Sequence, residues 1–69
     1  MPDLKYHIET EQEEDGRWIA EITDLPGVMA HGATKEEAMA AAEALALRVI
    51  ADRTEEQKTA AGFVSFACA

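Results

Sequence analysis

The carboxylates of this chain are the side chains with the clearest potential for chemistry. Three of them, Glu9, Glu21 and Asp24, lie in or beside segments that alternate like β-strands. Cleavage of a phosphodiester with two divalent metal ions requires several carboxylates that converge on one point. We expect Glu9 and Glu21 to share one face of a sheet, but the pattern places no third acid beside them. A metal-dependent nuclease is therefore an alternative hypothesis and not the leading one.

The histidines and the single cysteine offer little for catalysis. His7, His31 and Cys68 make a poor set of metal ligands. Nothing near His31 supplies the serine, cysteine or second ligand that a catalytic or metal-binding histidine needs. One cysteine allows no disulfide within the chain. We therefore expect no catalytic residue, no metal site and no cofactor, and we expect His31 to be a strand residue facing solvent.

The charge balance favours a protein partner over a nucleic acid. The 69 residues include 14 acids and 6 bases, for a net charge of −8. Seven of the acids lie within residues 9–24, where Arg17 is the one base. Such a surface repels phosphate backbones, so direct binding to nucleic acid is disfavoured, whereas a basic protein would be attracted. The alternative is that the acids only keep a small protein soluble.

Two alternating segments predict a β-hairpin. Residues 4–12 and 17–23 alternate in the manner of half-buried strands. A three-residue turn over 14–16, with a left-handed glycine, gathers nearly all the apolar side chains on one face, whereas a two-residue turn would split them. The side chains gathered on that face are Tyr6, Ile8, Trp18, Ala20 and Ile22.

The same register places acids on the opposite face. Glu9 falls opposite Glu21, with Glu11 and Glu13 alongside, and like charges in this position are unfavourable. Either the carboxylates turn into water, or the face meets lysine or arginine from another chain. On the second interpretation, the partner-binding residues are Glu9, Glu11 and Glu21, with Ile19 as an apolar anchor.

A turn and a capping motif then lead into a helix. Leu25-Pro26-Gly27-Val28 is typical of a type II turn, and residues 28–31 can form a third strand. Thr34 is suited to cap a helix, and Glu37 to reach back to the Thr34 N–H. Apolar residues at three- and four-residue spacing predict a helix from residue 35 to about residue 52. The polar segment 53–61 is interpreted as a loop, with at most one further helical turn, that ends at Gly62.

The last segment, 63–68, predicts a strand that is apolar on both faces. If such a strand lies at a sheet edge, it invites pairing with a second copy. A chain this short has room for only a thin core, which also favours self-association. We expect Phe63, Val64 and Phe66 to mediate it, giving a dimer or a higher oligomer.

The predicted order is β-β-β-α-β, an α+β fold in which one helix packs on one face of a small antiparallel sheet. We expect a single domain over residues 1–69. No apolar run is long enough to span a membrane, and the N-terminus lacks the pattern of a signal peptide, so a cytoplasmic location is expected.

A longer motif resembles a known family. It comprises Tyr6-x-Ile8, Glu14-Asp15-Gly16-x-Trp18-x-Ala20-Glu21-Ile22, Asp24-Leu25-Pro26-Gly27-Val28, Gly32-x-Thr34-x-Glu36-Glu37-Ala38 and Glu43-Ala44. These residues resemble the HicB-like antitoxin domain over roughly positions 4–50. The resemblance implies a degraded ribonuclease-H-like β-β-β-α-β unit that binds and inhibits HicA, a small basic toxin that cleaves mRNA. It does not imply catalysis by the antitoxin.

The chain resembles the short, single-domain members of that family. Longer members carry a C-terminal DNA-binding domain, which we do not expect here because the chain stops after its last predicted strand. The resemblance does not imply a toxin partner for every short member. The alternatives to an antitoxin are therefore an orphan self-associating domain and, less favoured, a residual ribonuclease-H-like nuclease.

Overall fold

Four strands and one helix make up the fold. A computed structural model of the chain describes residues 3–68. The predicted order β-β-β-α-β and the α+β class are confirmed. The elements are β1 Leu4–Gln12, β2 Trp18–Ile22, β3 Met29–Gly32, α1 Lys35–Gln57 and β4 Val64–Cys68.

The hairpin between β1 and β2 has the register that the apolar pattern predicts. Ile8 pairs with Ile22, and Gln12 pairs with Trp18. The Glu13 N–H donates to the Arg17 carbonyl at 2.7 Å, and Gly16 has a φ of 91°. The left-handed glycine supplies the extra residue that this turn requires, so the three-residue turn is confirmed.

The sheet is mixed, with the strand order β3-β2-β1-β4. Strand β2 is antiparallel to both of its neighbours, β1 and β3, as predicted, but β4 runs parallel to β1. The prediction of a wholly antiparallel sheet is therefore wrong for its last strand. Because β3 and β4 run in the same direction, α1 acts as a crossover that returns the chain to the same end of the sheet.

The core lies between α1 and one face of the sheet. The helix buries Ala38, Ala42, Ala46 and Ile50, which follow one another at four-residue spacing. These small side chains let α1 approach the sheet closely, mainly over β2 and β3. The sheet contributes buried Ile8, Ala20 and Ile22, with Tyr6 and Trp18 partly buried beside them. The predicted apolar face is thus confirmed.

The corner between β2 and α1 contains the predicted turn and cap. Gly27 has a φ of 81°, and the Val28 N–H donates to the Leu25 carbonyl at 3.2 Å. The Thr34 hydroxyl accepts from the Glu37 N–H at 3.1 Å. The Glu37 carboxylate, however, accepts from the Ala33 N–H at 3.1 Å, one residue before the predicted donor. The reciprocal contact of the capping motif is therefore shifted by one position.

The helix continues for five residues past its predicted end. It reaches Gln57, and Lys58 adopts the left-handed conformation at its C-terminus, with a φ of 54°. Residues 53–57 are polar but contain no helix breaker, and the Thr54 hydroxyl donates back to the Ile50 carbonyl at 2.7 Å. The prediction of a loop from residue 53 is wrong because polarity alone does not end a helix, but the further helical turn expected around Thr54 and Gln57 is present as a continuation of α1. No helix in the described part of the chain combines the length and hydropathy needed to cross a bilayer.

Candidate functional site

The side of the sheet away from α1 carries the predicted partner-binding residues. We call Glu9, Glu11, Ile19 and Glu21 the acidic face. Glu9 pairs with Glu21 across β1 and β2, and Glu11 pairs with Ile19. The three glutamates are exposed, whereas Ile19 is half-buried among them. The structure thus brings all four predicted residues together on one open surface.

The acidic face is electrostatically unbalanced. Adjacent strands bring the Glu9 and Glu21 side chains close together, and like charges in this arrangement cost about 0.2–1 kcal/mol. The nearby base, Arg17, is already engaged, since its Nε lies 2.9 Å from the Asp15 carboxylate. The backbone N–H and the guanidinium of Arg17 both lower the pKa of Asp15. Arg17 therefore neutralises the hairpin turn and not the glutamates of the acidic face.

A shallow pocket lies within the acidic face. Its lining consists of the four residues of the acidic face and Thr10, and its volume is about 120 Å³. Small-molecule sites usually measure about 300–1,000 Å³. The pocket is therefore suited to the end of one side chain from a partner and not to a cofactor. A lysine or arginine would meet carboxylates here and could lay its aliphatic stem on Ile19.

Strand β3 extends this surface with residues that the sequence analysis did not assign to it. Met29 pairs with Glu21, and His31 pairs with Ile19, so both lie on the open side of the sheet. Met29 is 43% exposed. Ala30 faces the helix, so the alternation of side chains along β3 could have placed Met29 on the open side of the sheet. The prediction that His31 is an exposed strand residue is confirmed.

His31 also links β3 to the end of β1. Its Nε2 lies 3.4 Å from the Glu13 Oε1, an oxygen that is shielded from solvent and makes no hydrogen bond in the described residues. When His31 is protonated, the two groups form an ion pair. The contact lies at one edge of the open surface, beside the acidic face.

Asp24 is separate from the acidic face and has a structural role. Its carboxylate accepts from the His7 backbone N–H at 2.6 Å and lies 3.1 Å from the His7 Nδ1. The backbone hydrogen bond, followed by the imidazole contact, lowers the pKa of Asp24. The carboxylate thus satisfies a backbone donor of β1 at the point where β2 has ended.

The nuclease hypothesis requires carboxylates that converge, and the described residues do not form such a group. Glu9 and Glu21 lie opposite each other on β1 and β2, but the Asp24 carboxylate accepts a hydrogen bond from the His7 backbone N–H. Across residues 3–68, no three side chains of the metal-ligating types are grouped so that they could hold an ion. No observation therefore favours the nuclease over the other hypotheses.

A second cavity lies under the C-terminal part of α1. Its volume is about 200 Å³, and Leu4, Tyr6, Ile50 and Arg53 are among its lining residues. The cavity lies between β1, the polar end of the helix and residues 59–61. This volume, too, is smaller than that of usual small-molecule sites.

The predicted self-association residues lie at the opposite edge of the sheet from β3. Val64 and Phe66 are half-buried in β4, and Phe63, just before it, is 65% exposed. The Phe66 ring packs against Tyr6 with 5.9 Å between the ring centroids. The acidic face and these apolar residues are therefore two distinct surfaces.

Comparisons of the chain with protein-family models, with curated proteins and with solved structures found no match. The resemblance to HicB-like antitoxins therefore stays a prediction from the sequence motif.

Proposed function

We propose that this protein is an antitoxin-like binding module of the cytoplasm that inhibits a basic, mRNA-cleaving toxin of the HicA type. The acidic face would bind the basic surface with which such a toxin engages RNA. The observation that carries the proposal is the grouping of Glu9, Glu11 and Glu21 around Ile19 on an uncovered sheet surface. The motif resemblance supplies the identity of the partner.

The energetics of the acidic face support a cationic protein as its partner. Opposed carboxylates are unfavourable in the free protein, and an incoming lysine or arginine relieves that repulsion. The net charge of −8 steers a basic protein toward the surface and speeds association at low salt. Ile19 and Met29 add apolar area, which suits an interface with a small hydrophobic centre.

Co-expression with a HicA-type toxin encoded beside this gene tests the proposal. The wild-type protein is expected to restore growth of cells that express the toxin, and the two purified proteins are expected to form a complex. The salt dependence of the dissociation constant should be steep because charges dominate the interface. A failure both to rescue growth and to bind would overturn the antitoxin function.

Charge reversal locates the binding surface. The double variant Glu9→Lys/Glu21→Lys is expected to weaken toxin binding at least about tenfold, because it places positive charge against a basic partner. The control is Glu55→Lys/Glu56→Lys, which makes the same change in net charge on exposed residues at the far end of α1. Equal effects of the two variants would mean that overall charge, and not the acidic face, governs binding.

An orphan self-associating domain is the second candidate, and the apolar edge strand β4 favours it. On this hypothesis the protein has no toxin partner and its main contact is with itself. A protein that dimerises but neither rescues growth nor binds the toxin would support this function over the first.

A further inference from the structure

The outer edge of β4 carries backbone groups that point away from the sheet. β4 is the last strand in the order β3-β2-β1-β4 and pairs only with β1 among the described strands. The Leu4 N–H donates to the Phe63 carbonyl at 2.7 Å. In a parallel ladder, every second residue of a strand directs its backbone N–H and C=O groups toward the neighbouring strand. Residues 63, 65 and 67 therefore direct their backbone groups toward β1, whereas Val64 and Phe66 direct theirs outward.

This edge lacks the usual protection against pairing. Exposed edge strands are commonly shielded by charged residues, by proline or by a covering helix. Residues 59–68 contain no charged residue and no proline. The helix lies mainly over β2 and β3, and Phe63, the most exposed large apolar side chain among residues 3–68, adjoins β4. The other edge strand, β3, is only four residues long and packs under α1.

Charge opposes contact between two copies least at the uncharged β4 segment. Two molecules that each carry a net charge of −8 repel one another over most approaches. At β4 they would meet through an uncharged segment, and the two β4 strands would lie between the acidic faces, which begin on β1 of each copy.

The thin core also favours self-pairing. Only two large side chains, Ile8 and Ile22, are fully buried among the described residues. A domain of this size usually needs a supplement from a disulfide, a metal or a partner subunit. A disulfide within the chain is excluded because there is one cysteine.

We propose that two copies pair β4 with β4 in antiparallel orientation about a twofold axis through Ser65. Val64 then lies opposite Phe66 of the second copy, and these outward-facing residues exchange backbone hydrogen bonds. Phe63 lies opposite Ala67 of the second copy, so the exposed ring becomes covered. The result is a continuous sheet of eight strands, four from each molecule, with both helices on one side and both acidic faces on the other.

The size of this contact sets its expected strength. A single strand pair covers less area than the interfaces of obligate dimers. The dimer is therefore expected to dissociate on dilution. Sedimentation velocity at concentrations from about 1 µM to about 1 mM should show a shift from 7.5 kDa to twice that mass. A mass of 7.5 kDa throughout would overturn the proposal.

Substitution at the axis tests the position of the seam. Ser65→Glu places two carboxylates opposite each other in the dimer and is expected to raise the dissociation constant at least about tenfold. Ala40→Glu makes the same charge change at an exposed position of α1 and should leave the constant within about twofold. Circular dichroism confirms that each variant is folded. Dimerisation of folded Ser65→Glu with wild-type affinity would overturn the proposal.

Cross-linking tests the register without destabilising the edge. In a Cys68→Ser background, Ser65→Cys places two thiols at a pair without backbone hydrogen bonds, where strands approach most closely. Mild oxidation should give a disulfide-linked dimer rapidly, whereas Ala40→Cys should cross-link slowly. Equal rates for the two variants would contradict the Ser65 axis.

Hydrogen exchange separates self-pairing from capture of another protein. The Val64 and Phe66 amides should become protected as the concentration of the protein alone is raised. If they are protected only when a toxin is added, the edge belongs to that partner and the proposal is overturned. A monomer that still binds the toxin through its acidic face would leave the proposed function intact, so the two proposals fail separately.

Discussion

At the scale of single residues, Gly32 shows why the corner before the helix tolerates so little change. A Cβ added at Gly32 would lie 2.5 Å from the Ala38 nitrogen and 2.9 Å from the Glu37 carbonyl carbon. Both are backbone atoms of the first turns of α1, so they cannot move without shifting the helix. The absence of a side chain therefore sets how closely β3 and α1 approach.

We expect Gly32→Ala to reduce the free energy of unfolding by about 1–3 kcal/mol, the usual cost of overpacking. Urea denaturation measures the change. Ala33→Ser, at the exposed neighbouring position, is the control and should change stability by less than about 0.5 kcal/mol. A Gly32→Ala protein as stable as the wild type would show that α1 can move away freely.

Asp24 makes stability depend on pH. Its pKa is lowered from the ordinary value of 3.8, mainly by the His7 N–H, so the folded state favours the ionised carboxylate. Its contribution is therefore present above the pKa of the unfolded state and is lost as the pH falls through the lower pKa of the folded state.

Asp24→Asn should accordingly be less stable than the wild type at neutral pH, and the difference should shrink as the pH falls below about 4. Denaturation in urea at a series of pH values gives the comparison. Asp52→Asn removes an equal charge from an exposed position of α1 and should not reproduce this pH profile. A difference between Asp24→Asn and wild type that is constant with pH would contradict the role of this carboxylate.

At the scale of elements, the hairpin and the start of α1 could be predicted, whereas the end of α1 and the direction of β4 could not. The hairpin register follows from local alternation, because a slip of one residue would move Ile8 to the wrong face. The end of the helix has no such signal, since residues 53–57 are compatible with both helix and loop. The direction of β4 depends on where a crossover places it relative to β1, which local patterns do not encode.

The acidic face was predictable for the same local reason. Glu9, Glu11, Ile19 and Glu21 lie on β1 and β2, whose register is set by their own apolar residues. Met29 was missed because β3 is only four residues long and offers little alternation to interpret. Whether the surface binds a partner depends on molecules outside the chain.

The end of α1 leads to a prediction about Lys58. This residue ends the helix with a φ of 54°, a conformation that costs side-chain-bearing residues about 1 kcal/mol and that glycine adopts freely. Lys58→Gly should therefore increase the free energy of unfolding by about 0.5–1 kcal/mol. Lys58→Ala removes the same charge and keeps the strain, so it should bring no gain. Thermal and urea denaturation measure both variants. An equal change in the free energy of unfolding for both would mean that loss of the charge, and not relief of backbone strain, causes the effect.

At the scale of the whole molecule, the net charge of −8 opposes the compact state. We expect the free energy of unfolding to rise when salt is increased from about 0.01 M to about 0.15 M, since the screening length falls from about 30 Å to about 8 Å. Glu55→Lys/Glu56→Lys, which brings the net charge closer to zero, should show a smaller rise. A decrease with salt would indicate that attractive ion pairs outweigh repulsion.

The pairing of β1 with β4 has a consequence for the order in which the protein is made. Leu4 lies beside Val64, so β1 emerges from the ribosome well before its partner β4, from which two strands and the whole helix separate it. During that interval β1 can form its hairpin with β2, but its other side stays open to solvent. That open side remains available to another unpaired strand until the helix and β4 have both been made.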